Sequence, residues 1–348
     1  MTVVFAGGGT GGHVYPAIAI ADALRARGAT IAFIGTADRL EATIVPKAGY
    51  VLHPIASRSM PRTPSFGLLA TITSNLKGTL QSLRLLAAQR PDLVIATGGY
   101  VAFPVALAAR IRRFLRLSTA PLVLLEPNAA PGLTNRLLSP VVDEVWRAAP
   151  VRAELRDLPR REDAAARLGL DPSLRTLLAV GGSQGARSIN DALMRLVENN
   201  AVPAGWQLLA LTGQTEYDRV RPVLPLARPY LDDMRDAYAV ADLVLARAGA
   251  STLGELAALR KPAILVPYPY ASEDHQAANA ARFEAAGAAV IVNDETLRDE
   301  GLAPVLEQTV QPQRLAQLCA GAARLEGADS LAVILARIEA LTARKGAA

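Results

Sequence analysis

Short runs of Val, Ile, Leu and Ala recur along the chain, separated by longer stretches whose apolar residues fall at helical spacing. In the first half the runs lie at 2–6, 31–35, 93–97, 122–126 and 143–148. In the second half they lie at 176–181, 206–212, 242–248, 263–267 and 289–292. Near-continuous apolar runs alternating with helices predict parallel strands covered on both faces. An Arg/Pro/Asp-rich segment at 147–175 divides the two halves. The expected fold is α/β, with two doubly wound Rossmann-like domains facing a cleft and ligands beyond the carboxyl ends of the strands. The domains are placed at 1–150 and 151–330. The stretch 320–342 favours a helix, and the C-terminal helix at 331–348 is a candidate to pack back on the first domain.

Glycine turns follow several of these strands. Gly7-Gly8-Gly9-Thr10-Gly11-Gly12-His13 comes first and Gly181-Gly182-Ser183-Gln184-Gly185-Ala186-Arg187 second. A strand, a glycine turn and a helix N-terminus together favour an anion. Gly7-x-Gly9-x-x-Gly12 also matches a dinucleotide fingerprint, which would use Asp38 as its ribose acid. The excess of glycine points instead to a bulky group close to the backbone. His13, in the first helical turn, is held neutral by the dipole and suits a general base, although a packed or capping histidine has the same spacing. Ser183 and Gln184 suit either a phosphate or sugar site or a plain tight connection. Arg247-Ala248-Gly249-Ala250-Ser251-Thr252-Leu253-Gly254-Glu255 reads as a pyrophosphate cradle, with Glu255 placed for ribose hydroxyls. Gln276 and Asn279 share a helix face and could both address a sugar.

Composition narrows the classes. With 348 residues the chain suits two domains, and 51% hydrophobic with 20% charged residues is globular. A single cysteine, Cys319, excludes an intrachain disulfide framework and fits a reducing compartment. His13, His53 and His275 are far apart in sequence, against a zinc site. No secretory signal or bilayer-spanning run is read. The net charge of +5 invites an acidic partner, but no nucleic-acid module is present, so no nucleic acid is expected.

Taken together, the first glycine turn, Thr97-Gly98-Gly99-Tyr100, the second glycine turn, Leu231-Asp232-Asp233-Met234, the 249–255 segment and His275-Gln276-Ala277-Ala278-Asn279 resemble the MurG family of UDP-N-acetylglucosamine transferases. The motifs run in family order from residue 7 to about 290. The resemblance implies the GT-B fold and inverting transfer of GlcNAc from UDP-GlcNAc to the C4 hydroxyl of lipid I, giving lipid II. It implies a membrane-facing acceptor domain at 1–150 and a UDP-sugar domain at 151–330. The donor would meet Thr10, Gly11, Gly12, Asn128, Arg152, Ser183, Gln184, Leu231 (through its backbone), Ala250, Ser251, Thr252, Leu253, Gly254, Glu255, Gln276 and Asn279. Gly98, Gly99, Tyr100, His13, Glu126 and Asn128 would face the acceptor and the reaction centre. The chain departs from the family at Leu125, where a histidine is usual, at Ala149 in place of asparagine, and at His275, where some members carry glutamine. The loss at 125 leaves His13 as the base, with Glu126 as second candidate.

No Asp-x-Asp flanked by small residues is present, so no metal and no cofactor is expected, and helix N-terminal amides would stabilise the departing UDP. A lipid-bound acceptor requires a membrane surface. Phe66, Leu69, Leu76, Leu80 and Leu83 recur at helical spacing beside Arg62, Lys77 and Arg84, and residues 110–117 form a basic-apolar segment. Both fit peripheral docking on the anionic cytoplasmic leaflet, or a core helix and a solvated charge run respectively. Cell-wall synthesis proteins are candidate partners. Three competing readings are another lipid acceptor, a dinucleotide-dependent oxidoreductase, and a non-catalytic binding protein.

Overall fold

The computed structural model describes residues 1–60, 67–182, 185–231, 233–270, 274–325 and 330–343. They divide into two compact units, Met1–Val151 with the C-terminal helix, and Arg152 up to the end of the preceding helix.

In the first unit, β1 (Thr2–Gly7), α1 (Gly11–Arg25), β2 (Thr30–Gly35), α2 (Leu40–Lys47) and β3 (Leu52–Pro54) come first. They are followed by α3 (Gly67–Gln89), β4 (Leu93–Gly98), α4 (Ala102–Phe114), β5 (Leu122–Leu125), α5 (Leu133–Leu138) and β6 (Glu144–Trp146). The six strands pair in parallel in the order β3-β2-β1-β4-β5-β6. Alternate strand residues serve opposite faces. Val3 and Phe5 pack with Val14 and Ile18 of α1, while Val4 and Ala6 pack with Val105 and Leu86 from α4 and α3. Strand order reverses between β1 and β4, so the crevice of this sheet opens at the ends of those two strands.

The second unit begins with α6 (Arg161–Leu168), β7 (Arg175–Val180), α7 (Arg187–Glu198), β8 (Trp206–Leu211) and α8 (Tyr217–Val220). Next come α9 (Arg235–Val240), β9 (Ala241–Ala246), α10 (Ala250–Ala258), β10 (Ala263–Leu265), α11 (His275–Ala285) and β11 (Ala289–Ile291). The last three helices are α12 (Asp294–Asp299), α13 (Ala303–Thr309) and α14 (Pro312–Arg324). Five parallel strands pair in the order β11-β10-β9-β7-β8, which reverses between β7 and β9. The stretch expected as one C-terminal helix is two: α14 ends at Arg324, and α15 (Ser330–Ala343) begins a new helix. Leu331, Ile334, Leu335 and Ile338 of α15 join the core of the first unit beside α1. Every expected apolar run carries a strand. The addition is β3, whose short run is broken by His53 and Pro54 and pairs only with the end of β2.

Candidate active site

The two loops at the switch point of the first sheet pack on each other. β1 runs into Gly8-Gly9-Thr10, and α1 starts at Gly11 with Thr10 as its N-cap. A first helical turn leaves amides without intrahelical acceptors, here those of Gly11 and Gly12, while His13 N and Val14 N already donate to Thr10 O. The half-buried His13 ring places Nδ1 2.8 Å from Thr97 O. A carbonyl can only accept, so in the neutral ring Nδ1 carries the proton and Nε2 is the basic nitrogen. The ring fits because Gly98 and Gly99 lack side chains. A Cβ on Gly98 would lie 2.8 Å from His13 Cε1 and Nδ1, and one on Gly99 would lie 2.4 Å from Gly8 O. Both glycines have positive φ, +100° and +74°. Tyr100 stands against Gly9, at the contact distance of a Cβ there.

The acid of this turn is not Asp38, which is exposed on the loop after β2. Fully buried Glu41 of α2 takes the place instead, its Oε2 accepting from Gly9 N at 2.9 Å. Its Oε1 accepts from Thr36 N (3.0 Å) and Thr36 Oγ1 (2.6 Å). With both oxygens so engaged it is not presented to a ribose, which removes the support for a dinucleotide site.

Glu126, at the end of β5, is 1% exposed. Its Oε1 accepts from Asn128 N (2.9 Å) and Asn128 Nδ2 (3.1 Å), and its Oε2 accepts from Asn135 Nδ2 (2.7 Å). Donors thus engage both carboxylate oxygens. The geometry therefore suits an anchor that orients Asn128 and Asn135 better than the base expected as an alternative to His13. Asn135 was not anticipated, although it stands on the same short helix that follows the Glu126–Asn128 turn.

In the second unit, Gly181 and Gly185 of the second glycine turn are required by close packing, since a Cβ would lie 2.5 Å from Ala186 N and 2.2 Å from Thr212 O respectively. Ser183 and Gln184 lie outside the described residues. The β9–α10 connection presents the N-terminus of a 9-residue helix with no acidic residue in its first turn. The amides of Ala250, Ser251 and Thr252 have no intrahelical acceptor. Ser251 Oγ is buried and makes no hydrogen bond. Leu253 differs from its expected role: its side chain is in the core and its N–H already donates to Gly249 O. Gly254 follows it inside the helix.

Glu255 is tightly framed. Tyr238 Oη, fully buried, donates to its Oε2 at 2.6 Å, and Arg152 Nη2 lies 3.9 Å from Oε1. Burial pushes the Glu255 carboxyl above its ordinary value, against the opposing Tyr238 bond and Arg152 charge. Leu231, half-buried, sits shortly before α9. Gln276 Oε1 accepts from Tyr268 N at 2.9 Å, tying α11 to the loop after β10. Asn279 is buried, and its Nδ2 donates to Ala248 O at 3.1 Å, so it ties α11 to the β9–α10 turn.

A further network was not anticipated. Arg247 pairs with Asp294 at 2.6 Å, donates to Ser188 Oγ at 2.9 Å and to Val266 O at 3.2 Å, and stacks over Tyr268. Asp294 also holds Arg298 at 2.7 Å. Its carboxyl lies below the ordinary value: burial alone would raise it, and the Ser188 and Arg247 bonds more than offset that. The alternation of apolar residues gives no sign of such a buried ion pair.

Leu69, Ile72, Leu76 and Leu80 form an exposed stripe on α3, whereas Leu83 packs on the core. Phe114, Leu115 and Leu117 are exposed at the end of α4. Arg113 and Arg110 pair with Asp143. Phe66 and Arg62 lie outside the described residues. Among the described residues no helix is long and apolar enough to cross a membrane, and no cluster of three or more His, Cys, Asp or Glu could hold a metal ion.

The glycosyltransferase family 28 N-terminal domain matches residues 3–146 and its C-terminal domain matches 176–332. A protein of Halothermothrix orenii named UDP-N-acetylglucosamine--N-acetylmuramyl-(pentapeptide) pyrophosphoryl-undecaprenol N-acetylglucosamine transferase is 38% identical, covering 93% of this chain and 95% of that protein. Its namesake in Chlorobium luteolum is 39% identical over 97% of this chain and 98% of its own length. The crystal structure of Acinetobacter baumannii MurG superposes with a TM-score of 0.77 at 28% identity, covering 97% of this chain and 99% of that one. The calicheamicin glycosyltransferase CalG4, at 16% identity and a TM-score of 0.69, shares the GT-B fold. Identity sustained over nearly the whole length, on a GT-B frame, places the chain in the MurG family of family 28 glycosyltransferases, to which it belongs.

Proposed function

We propose that the chain transfers GlcNAc from UDP-GlcNAc to the C4 hydroxyl of the muramoyl sugar of undecaprenyl-pyrophosphoryl-MurNAc-pentapeptide, converting lipid I to lipid II. The observation that carries this reading is the 38–39% identity over more than nine-tenths of the chain to proteins named for that activity. The residues suit the chemistry. His13 Nε2 takes the proton of the attacking hydroxyl as its oxygen bonds to C1 of GlcNAc from the face opposite the leaving group, and the anomeric configuration inverts. The C1–O bond electrons leave with UDP. The first-turn amides of α10 and Ser251 Oγ face the charge that develops on the diphosphate, the kind of preorganised donor set that stabilises a leaving anion. Glu255 Oε1 accepts from the ribose hydroxyls while Tyr238 fixes Oε2. Leu231 contacts the uracil through its backbone, and Gln276 reads the sugar. Glu126 holds Asn128 and Asn135 behind the acceptor site.

The exposed apolar stripe of α3 and the Phe114–Leu117 end of α4 dock the first unit on the anionic cytoplasmic leaflet, with Lys77, Arg112 and Arg116 supplying charge. Transfer of labelled GlcNAc from UDP-GlcNAc to a lipid I analogue, with UDP-GalNAc as control, tests the activity. Absence of product, or equal use of UDP-GalNAc, overturns it.

A further inference from the structure

The first glycine turn looks in sequence like an anion site, yet its central amide already has an anionic partner within the protein. Gly9 N donates to Glu41 Oε2, and the other oxygen of the same carboxylate is fixed by the amide and hydroxyl of Thr36. The carboxylate is fully buried, and two glycines make its space. A Cβ on Gly8 would lie 2.2 Å from Glu41 Oε1, and one on Gly35 would lie 2.8 Å from Glu41 Cγ. Glycine-rich turns lose the most conformational freedom on ordering, so one that must hold a single shape needs a fixed point. Gly9 has a φ of +87°, and Glu41 is the side chain seen to fix it.

The turn in turn sets the histidine. The Gly8 carbonyl packs directly against Gly99, a Cβ on Gly99 would lie 3.4 Å from His13 Cδ2, and Gly98 packs on the other side of the same ring. His13 N also donates to Thr10 O at the end of the turn. A shift of Gly8 and Gly9 therefore reaches the imidazole by two routes, through the loop after β4 and through the start of α1.

We propose that Glu41 is a positioning residue for the transfer reaction: its buried carboxylate clamps the Gly8–Gly9 turn and thereby fixes where His13 presents Nε2. The inference rests on the transferase reading for its kinetic test, but not for its structural one. Glu41→Gln keeps the size of the side chain while turning an N–H donor toward Gly9 N or Thr36. Kcat is expected to fall on the order of 10- to 100-fold, the scale of small misplacements of a reacting group. The KM for UDP-GlcNAc, whose proposed contacts are mainly in the second unit, stays within about threefold, and kcat is taken per folded molecule, because loss of folded protein alone also lowers the apparent kcat at unchanged KM. Imidazole 15N spectra, assigned with a His13→Gln variant, are expected to show the His13 signals displaced in Glu41→Gln while those of His53 and His275 stay put. Gly8→Ala, which crowds the carboxylate, lowers kcat in the parent but adds little in Glu41→Ala, where the space is free.

Thr36→Val, which removes only the hydroxyl bond, gives a smaller loss of the same kind and serves if Glu41→Gln does not fold. Unchanged kcat with an unchanged His13 spectrum in either variant overturns the clamp. So does a loss of kcat that only tracks the folded fraction. A parent protein that transfers no GlcNAc overturns the transferase reading instead, and the imidazole spectra then decide the clamp alone.

Discussion

Gly98→Ala tests whether the close approach of the loop after β4 to His13 matters to the reaction. The new methyl would lie 2.8 Å from His13 Cε1 and Nδ1, against the 3.4 Å of ordinary contact, a shortfall of about 0.6 Å. Little else can yield, because the imidazole is hydrogen-bonded to Thr97 O in the adjoining residue and Asn135 Nδ2 stands 3.2 Å from the same methyl position. The backbone at φ +100° adds a cost of about 1–3 kcal/mol for a non-glycine residue. Gly28→Ala is the matched control, since Gly28 has a similar φ of +80° and nothing within 4 Å of its methyl position. Both variants should lower Tm by several degrees, following from that backbone cost at about 2–4 °C per kcal/mol. Only Gly98→Ala should lower kcat, on the order of 10-fold or more, because a displacement of half an ångström or so already spoils proton transfer. Steady-state transfer to a lipid I analogue, beside thermal melts of both proteins, measures this. Gly98→Ala with kcat within twofold of the parent, or Gly28→Ala with an equal loss of kcat, would refute the reasoning.

Glu255 gives a prediction with opposite signs for binding and stability. Burial raises its carboxyl, so its contribution to folding is present below the unfolded value and lost as pH rises through the folded one. Glu255→Gln is therefore expected to raise Tm at neutral pH while weakening UDP, and parent UDP affinity should fall as pH drops through a value above the ordinary carboxylate range; calorimetric titration against pH checks both. Turnover should survive EDTA, since the charge on the leaving UDP is assigned to amides, and complete loss restored by added metal would contradict this. Leu76→Glu with Leu80→Glu should abolish flotation with anionic vesicles, both residues being exposed on α3, and leave kcat on a detergent-soluble acceptor unchanged. Retained flotation would remove this face from the membrane proposal.

The architecture was legible because parallel strands buried on both faces leave long apolar runs, and all the runs that were read carry strands. The switch-point loops were legible because glycine is the residue such turns require. What stayed hidden were side chains whose meaning depends on a distant partner. Glu41 looks like any acid near a helix start, and its role appears only when β1 and β2 lie side by side and bring Gly9 to its carboxylate. Asp38, three residues earlier, fitted the spacing of a ribose acid but points to solvent. Asn279 and Leu253 fall within a motif that implies ligand contact, yet one closes a backbone turn and the other fills the core. The Arg247–Asp294 pair joins β9 to α12 across 47 residues of sequence, and no local pattern announces it.

Glycine turns at strand ends thus differ in what claims their amides. In the first turn Gly9 N is held by Glu41. In the second, Gly181 N donates to Leu211 O and Gly185 N to Gly182 O. The start of α10 has no acid in its first turn and a buried hydroxyl without a hydrogen bond. Supplying such an acid should convert the third case into something like the first. Thr252→Asp places a carboxylate in the first turn of α10, where the helix dipole favours it by about 0.3–1 kcal/mol. The same charge opposes a diphosphate at those amides. Tm should therefore hold or rise while UDP binding is lost, a combination that damage to the fold cannot give. Calorimetry and thermal melts on one preparation read both, and a Thr252→Asp protein that binds UDP as tightly as the parent would move the diphosphate site elsewhere.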